Sequence, residues 1–142
     1  RCYRGTNFHG WQRQENASSV QENIEISISN LLSNQIKIVG AGRTDTGVHA
    51  NQMFAHFDYV TKIDSLESLK NKLNNYLSRD IKIINIHRVN DDAHARFDAI
   101  SRTYRYNIIS QKNPFLNDFS YEEISLPTEL LPHKYLILIF LC

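Results

Sequence analysis

Cysteine is scarce in this chain of 142 residues: the only two, Cys2 and Cys142, stand near its extremes. They have no metal-ligand spacing and no pairing pattern, which excludes a disulfide framework and a zinc site and fits two reduced thiols in a cytoplasmic protein. An excess of either charge is also lacking. Sixteen Lys and Arg against fifteen Asp and Glu leave a net charge of +1, so no whole-chain field marks a polyanionic partner, and any nucleic-acid function has to reside in a local site. The apolar stretch 135–142 is too short to span a bilayer. No basic segment followed by an apolar run opens the chain, so neither a secretory signal nor a membrane partner is expected. Internal repeats and low-complexity runs are absent from the text.

What is present is 42% hydrophobic residues, enough for one core. Residues 1–14, with Tyr3, Gly5, Phe8, Gly10 and Trp11, carry no sustained period and read as a loop leaving a strand. Ser19-Val20-Gln21-Glu22 fits a capping box, and Val20, Ile24, Ile28, Leu31 and Leu32 then share one helical face. Residues 36–39 and 53–59 read as strands, the second with Met53, Ala55, Phe57 and Tyr59 on one side. A second helix starts at Asp64 or Ser65, with Leu66, Leu69, Leu73, Tyr76 and Leu77 spaced for burial. Residues 81–86 form another strand, and residues 102–109 open a further unit in which Tyr104, Tyr106 and Ile108 alternate with Arg105 and Asn107.

With a strand ahead of Tyr3 this order is β-α-β-β-α-β, an α+β, ferredoxin-like arrangement in which the first strand is central. The expected organisation is a catalytic half over residues 1–100, its first strand largely missing, the start of a second half over 101–124, and an atypical tail over 125–142.

The connection between the two central strands holds the chemistry-bearing residues. Gly40, Gly42 and Gly47 let it bend sharply and bring a ligand to the main chain, and Arg43, Thr44, Asp45 and His49 stand around that bend. An Asp in such a turn is ordinarily an Asx-turn or cap, and an Arg beside it an ion-pair partner. The same residues also provide a carboxylate nucleophile next to a phosphate- or base-directed cation. His49 is a candidate general base, although loop histidines are more often hydrogen-bonded structural groups.

The run 41–50, Ala-Gly-Arg-Thr-Asp-Thr-Gly-Val-His-Ala, resembles the signature of the tRNA pseudouridine synthase A (TruA) family, whose Arg-Thr-Asp triplet holds the essential aspartate. Residues 3–14, residues 94–99 (His-Ala-Arg-Phe-Asp-Ala) and residues 102–106 (Arg-Thr-Tyr-Arg-Tyr) resemble further blocks of that family in the same order. The resemblance implies an enzyme that needs no cofactor and no metal. It isomerises uridines of the tRNA anticodon stem-loop, positions 38, 39 and 40, to pseudouridine. Asp45 is then the nucleophile, Arg43 displaces the target nucleotide, and Tyr104 stacks on the uracil and assists proton transfer at C5. Arg96, Arg102, Arg105, Arg4 and Arg13 become candidates for phosphate contacts. Trp11 and Phe97 are taken as packing groups rather than base-stacking platforms. Family members carry a second α+β half and act as homodimers on one tRNA.

Two other readings compete. One is a catalytically inactive RNA-binding fragment of the same fold. The other is a carboxylate hydrolase pairing Asp45 with Asp58 or Asp98.

Overall fold

The computed structural model describes residues 2–122 and divides the chain into two units, Arg1–Ala99 and Ile100–Cys142. The expected tail, 125–142, lies outside the described residues.

In the first unit, helix α1 spans Val20–Leu32. Ser19 starts it as the sequence predicts: its Oγ accepts from the Glu22 amide at 3.2 Å, satisfying one of the amides left over at a helix start. The helix stops at Ser33, which turns into the left-handed region at φ 49°. Val20, Ile24 and Ile28 are buried at helical spacing, with Leu31 and Leu32 packed partly against the same core.

Helix α2 spans Leu66–Tyr76 and begins at Ser65, whose Oγ accepts from the Ser68 amide at 3.1 Å. Leu69, Leu73 and Leu77 are buried. Tyr76 departs from the expected face and is exposed; its hydroxyl accepts from Asn30 Nδ2 of α1 at 2.9 Å, so the phenol links the two helices instead of entering the core.

The strands are shorter than the β-branched runs suggest. Strand β1, Val39–Gly40, pairs antiparallel with β2, Ala55–His56, in the register Val39 to His56 and Gly40 to Ala55. One further bond, Ala41 N to Phe54 O at 2.7 Å, carries the pairing on. Residues 36–38 alternate as expected, with Ile36 and Ile38 buried around an exposed Lys37. Their amides, however, are taken by α1 side chains: Ile36 N donates to Ser29 Oγ at 2.9 Å and Ile38 N to Glu25 Oε1 at 3.0 Å. A buried amide must find a partner, and here side chains supply it in place of a ladder.

The same happens in 81–86. Ile81 is buried and bridged to Tyr3, while both backbone groups of Ile83 bond the Asn74 side chain of α2, at 2.8 and 2.9 Å. The opening segment is paired along both edges: Tyr3 bridges antiparallel to Ala50 on one side and to Ile81 on the other. Amides on either side of it continue these bonds, Cys2 N to Ala50 O at 2.9 Å and Arg4 N to Asp80 O at 2.8 Å. Cys2 is a free, buried thiol, and that burial pushes its pKa up.

In the second unit, strand β3, Ile108–Ile109, pairs in parallel with β4, Tyr121–Glu122. The expected strand 102–109 forms a ladder only at its end, and Tyr106 is exposed while Tyr104 and Ile108 are half-buried. The described residues therefore form a small α+β structure. No helix among them is long and apolar enough to cross a membrane.

Candidate active site

Two segments far apart in sequence lie side by side at the Asp45 loop. Trp11 N donates to Thr44 O at 3.0 Å, Gly47 N to Phe8 O at 3.2 Å, and Gly5 N to His49 Nδ1 at 2.9 Å; Tyr3 and Ala50 exchange two bonds of 3.1 Å. The opening block and the Arg-Thr-Asp block are thus one physical assembly. The approach is close enough to require glycine at two points. A Cβ on Gly5 would run into the Val48 carbonyl, and one on Gly10, which sits at φ 83°, would run into the Thr44 carbonyl.

The floor beneath the loop is aromatic. Tyr3, Phe8 and Trp11 are all buried, with the Tyr3 and Trp11 rings 6.0 Å apart and tilted by 35°. The Tyr3 hydroxyl lies 2.8 Å from Thr44 Oγ1, and burial raises its pKa, so it stays protonated. Trp11 is the packing group the sequence suggests. Phe97 is not: it is 77% exposed and stacks on His94 with centroids 4.1 Å apart.

Asp45 opens a reverse turn closed by the bond from Val48 N to its main-chain carbonyl, 3.2 Å, with Gly47 at φ 79° in the third position. The turn therefore does not use the carboxylate, and the Asx-turn expected of an ordinary loop Asp is not formed. Arg43 and Asp45 are both exposed, while Thr44 between them is half-buried. Among the described residues neither charged side chain has a hydrogen-bond or ion-pair partner, and the two do not pair with each other. His49 is half-buried, and its Nδ1 accepts from Gly5 N.

The other candidates are dispersed. Arg4 is exposed, with Nε donating to Thr6 Oγ1 at 3.3 Å. Arg13 is engaged by Glu22 at 3.4 Å and by the buried Glu25 at 3.2 Å. Arg96 is exposed in a turn tied by Asp98, whose Oδ2 accepts from His94 N at 2.6 Å. Tyr104 and Arg102 are half-buried and Arg105 exposed, all in the second unit. No group of three His, Cys, Asp or Glu side chains among them could hold a metal ion.

Sequence reasoning gave no role to Tyr3 or Glu25. Tyr3 had a signal, an aromatic two residues ahead of a glycine in a motif block. Glu25 had none, because a glutamate within an amphipathic helix ordinarily faces water.

A family model described as tRNA pseudouridine synthase matches residues 1–98. Among curated relatives, tRNA pseudouridine synthase A of Azobacteroides pseudotrichonymphae is 53% identical over 117 residues, covering 82% of this chain and 47% of the relative. The protein of the same name from Bacteroides thetaiotaomicron is 47% identical over 120 residues, 84% of this chain and 44% of the relative. That of Synechocystis is 40% identical over 129 residues, 89% of this chain and 47% of the relative. The chain thus spans somewhat less than half the length of these relatives. The family match includes the whole assembly of residues 3–11 with 44–50, and on this ground the chain belongs to the tRNA pseudouridine synthase family.

Proposed function

We propose that this chain carries the nucleophile of a tRNA pseudouridine synthase that isomerises uridines 38, 39 and 40 of the anticodon stem-loop, with Asp45 attacking the substrate. The reaction breaks the bond from ribose C1′ to uracil N1, rotates the base and joins C1′ to C5, while the C5 proton leaves and N1 gains one. No net oxidation occurs and no cofactor is required. Asp45 adds either to C1′ or to C6 of the uracil. Arg43, beside it, displaces the target nucleotide against an unstacking cost of a few kcal/mol. Tyr104 stacks on the uracil and assists the proton transfer at C5.

The observation that carries this reading is the exposure of Arg43 and Asp45 without internal partners, on a loop whose backbone is held at Thr44, Gly47 and Ala50. A structural carboxylate would be expected to cap its own turn. Arg4, Arg96, Arg102 and Arg105 serve as phosphate contacts. Arg13, engaged by two glutamates, is the weakest of that group.

The fold proposed for residues 1–100 is ferredoxin-like, supported by the antiparallel bridges of Tyr3 to both Ala50 and Ile81, as a central first strand requires. Residues 101–124 begin a second half, followed by an atypical tail, and the working enzyme is a cytoplasmic homodimer. The binding-only reading has no specific observation in its favour, since the relatives are named synthases.

The test is Asp45→Asn in a protein of the relatives' length carrying this segment, with pseudouridine in tRNA quantified by mass-shift labelling. The expected outcome is a loss of at least about 10³ in rate with tRNA affinity within about threefold. Retention of more than about one-twentieth of the wild-type rate removes Asp45 from the role of nucleophile.

A further inference from the structure

We propose that Tyr3 and Thr44 are positioning residues for the nucleophile: their part-buried hydroxyl pair fixes the inward residue of the Arg43-Thr44-Asp45 triplet and thereby aims the charged side chains on either side of it. This rests on the reading of Asp45 as the nucleophile.

Tyr3 is suited to be the fixed partner. It is 1% exposed, its backbone is bridged on both edges, and its ring lies against Trp11. The phenol therefore has almost no freedom to follow a shifting loop. Thr44 is held twice, through its carbonyl by Trp11 N at 3.0 Å and through Oγ1 by the Tyr3 hydroxyl at 2.8 Å. The first bond sets where the backbone lies. The second sets which way the side chain of residue 44 points, and with it the directions left to residues 43 and 45. Asp45 has no side-chain partner of its own among the described residues, so its aim comes from its neighbours. Because burial keeps the Tyr3 hydroxyl protonated, the link does not titrate in the neutral range.

Misplacing a reacting group by about 1 Å is enough to cost on the order of 10²-fold in rate. Loss of the hydroxyl link is therefore expected to appear in kcat rather than in substrate affinity.

The experiment uses the protein of the relatives' length, with Tyr3→Phe, Thr44→Val, the double variant, Thr44→Ser and, as control, Asp45→Asn. Tyr3→Phe keeps the ring and its packing, Thr44→Val keeps the shape, and Thr44→Ser keeps the hydroxyl. The readouts are kcat and KM for pseudouridine formation on anticodon stem-loop RNA, with thermal melting to establish the fold. Tyr3→Phe and Thr44→Val are each expected to lower kcat roughly 10- to 100-fold with KM within about threefold. Thr44→Ser should stay within about threefold of wild type, and the double variant should be no slower than the slower single, because both remove one link. If Asp45→Asn is inactive while Tyr3→Phe and Thr44→Val retain wild-type kcat, or change only KM, the positioning proposal is overturned and the nucleophile assignment stands. If Asp45→Asn remains active, the nucleophile assignment itself fails and the proposal with it. Should Tyr3→Phe melt below the assay temperature, the Thr44→Val and Thr44→Ser pair decides between these outcomes, since the first removes the hydroxyl and keeps the shape while the second keeps the hydroxyl and loses only the methyl group.

Discussion

Replacing Glu25 by alanine withdraws the acceptor for a buried amide and for two cations inside the first unit. Glu25 is 3% exposed; its Oε1 accepts from Ile38 N at 3.0 Å and Gln21 Nε2 at 3.2 Å, and its Oε2 meets Arg13 at 3.2 Å and Lys37 at 3.7 Å. The amide term dominates. Ile38 is 4% exposed, so its N–H would be left buried without a partner, which costs about 1–3 kcal/mol. Arg13 and Lys37 are 43% and 61% exposed, so water can take over both cations, and their loss adds at most about 1 kcal/mol. Gln21 keeps its 2.9 Å bond to Ile38 O and contributes little. The expected destabilisation is about 1–4 kcal/mol for Glu25→Ala and about 1 kcal/mol or less for Glu25→Gln, which retains an acceptor for Ile38. Trp11, the single tryptophan and 3% exposed, reports unfolding by its fluorescence. In a urea titration the Ala variant should lose on the order of 1–2 M in midpoint at an ordinary denaturant slope. Equal midpoints for the Ala and Gln variants would refute the reasoning, because the amide would then not be the principal term.

Three further outcomes follow from the same geometry. Gly10→Ala places a Cβ on the Thr44 carbonyl at a backbone with φ 83°, and should cost at least about 1–2 kcal/mol in the same urea titration; an unchanged midpoint would show that the two segments can part freely. Tyr104→Phe should preserve the fold and slow a step after glycosidic cleavage in single-turnover kinetics, with an unchanged rate reducing Tyr104 to a stacking surface. Residues 1–142 by themselves should give no turnover on anticodon stem-loop RNA, since Asp45 stands exposed where water screens its charge and the chain spans less than half the length of its relatives; multiple turnovers would disprove this.

The features legible in the sequence are those whose causes lie within one or two turns of chain. Ser19 and Ser65 mark the helix starts because a cap bonds an amide three residues on, and Val20, Ile24 and Ile28 or Leu69 and Leu73 mark the buried faces because the helical period brings them together. The Arg43-Thr44-Asp45 run was equally readable, as a sequence pattern. Tertiary structure decided the rest. Which groups satisfy Ile36, Ile38 and Ile83 depended on Ser29, Glu25 and Asn74 arriving from the helices, and that shortened strands the β-branched runs had suggested. Tyr76 and Phe97 carry aromatic rings whose hydrophobicity predicts burial, yet they lie exposed, Tyr76 bonded through its hydroxyl to Asn30 and Phe97 stacked on His94. The Tyr3 to Thr44 bond joins residues 41 positions apart. A local reading cannot find such a pair, because closing the chain between them is settled only when the whole core that holds Tyr3 has formed.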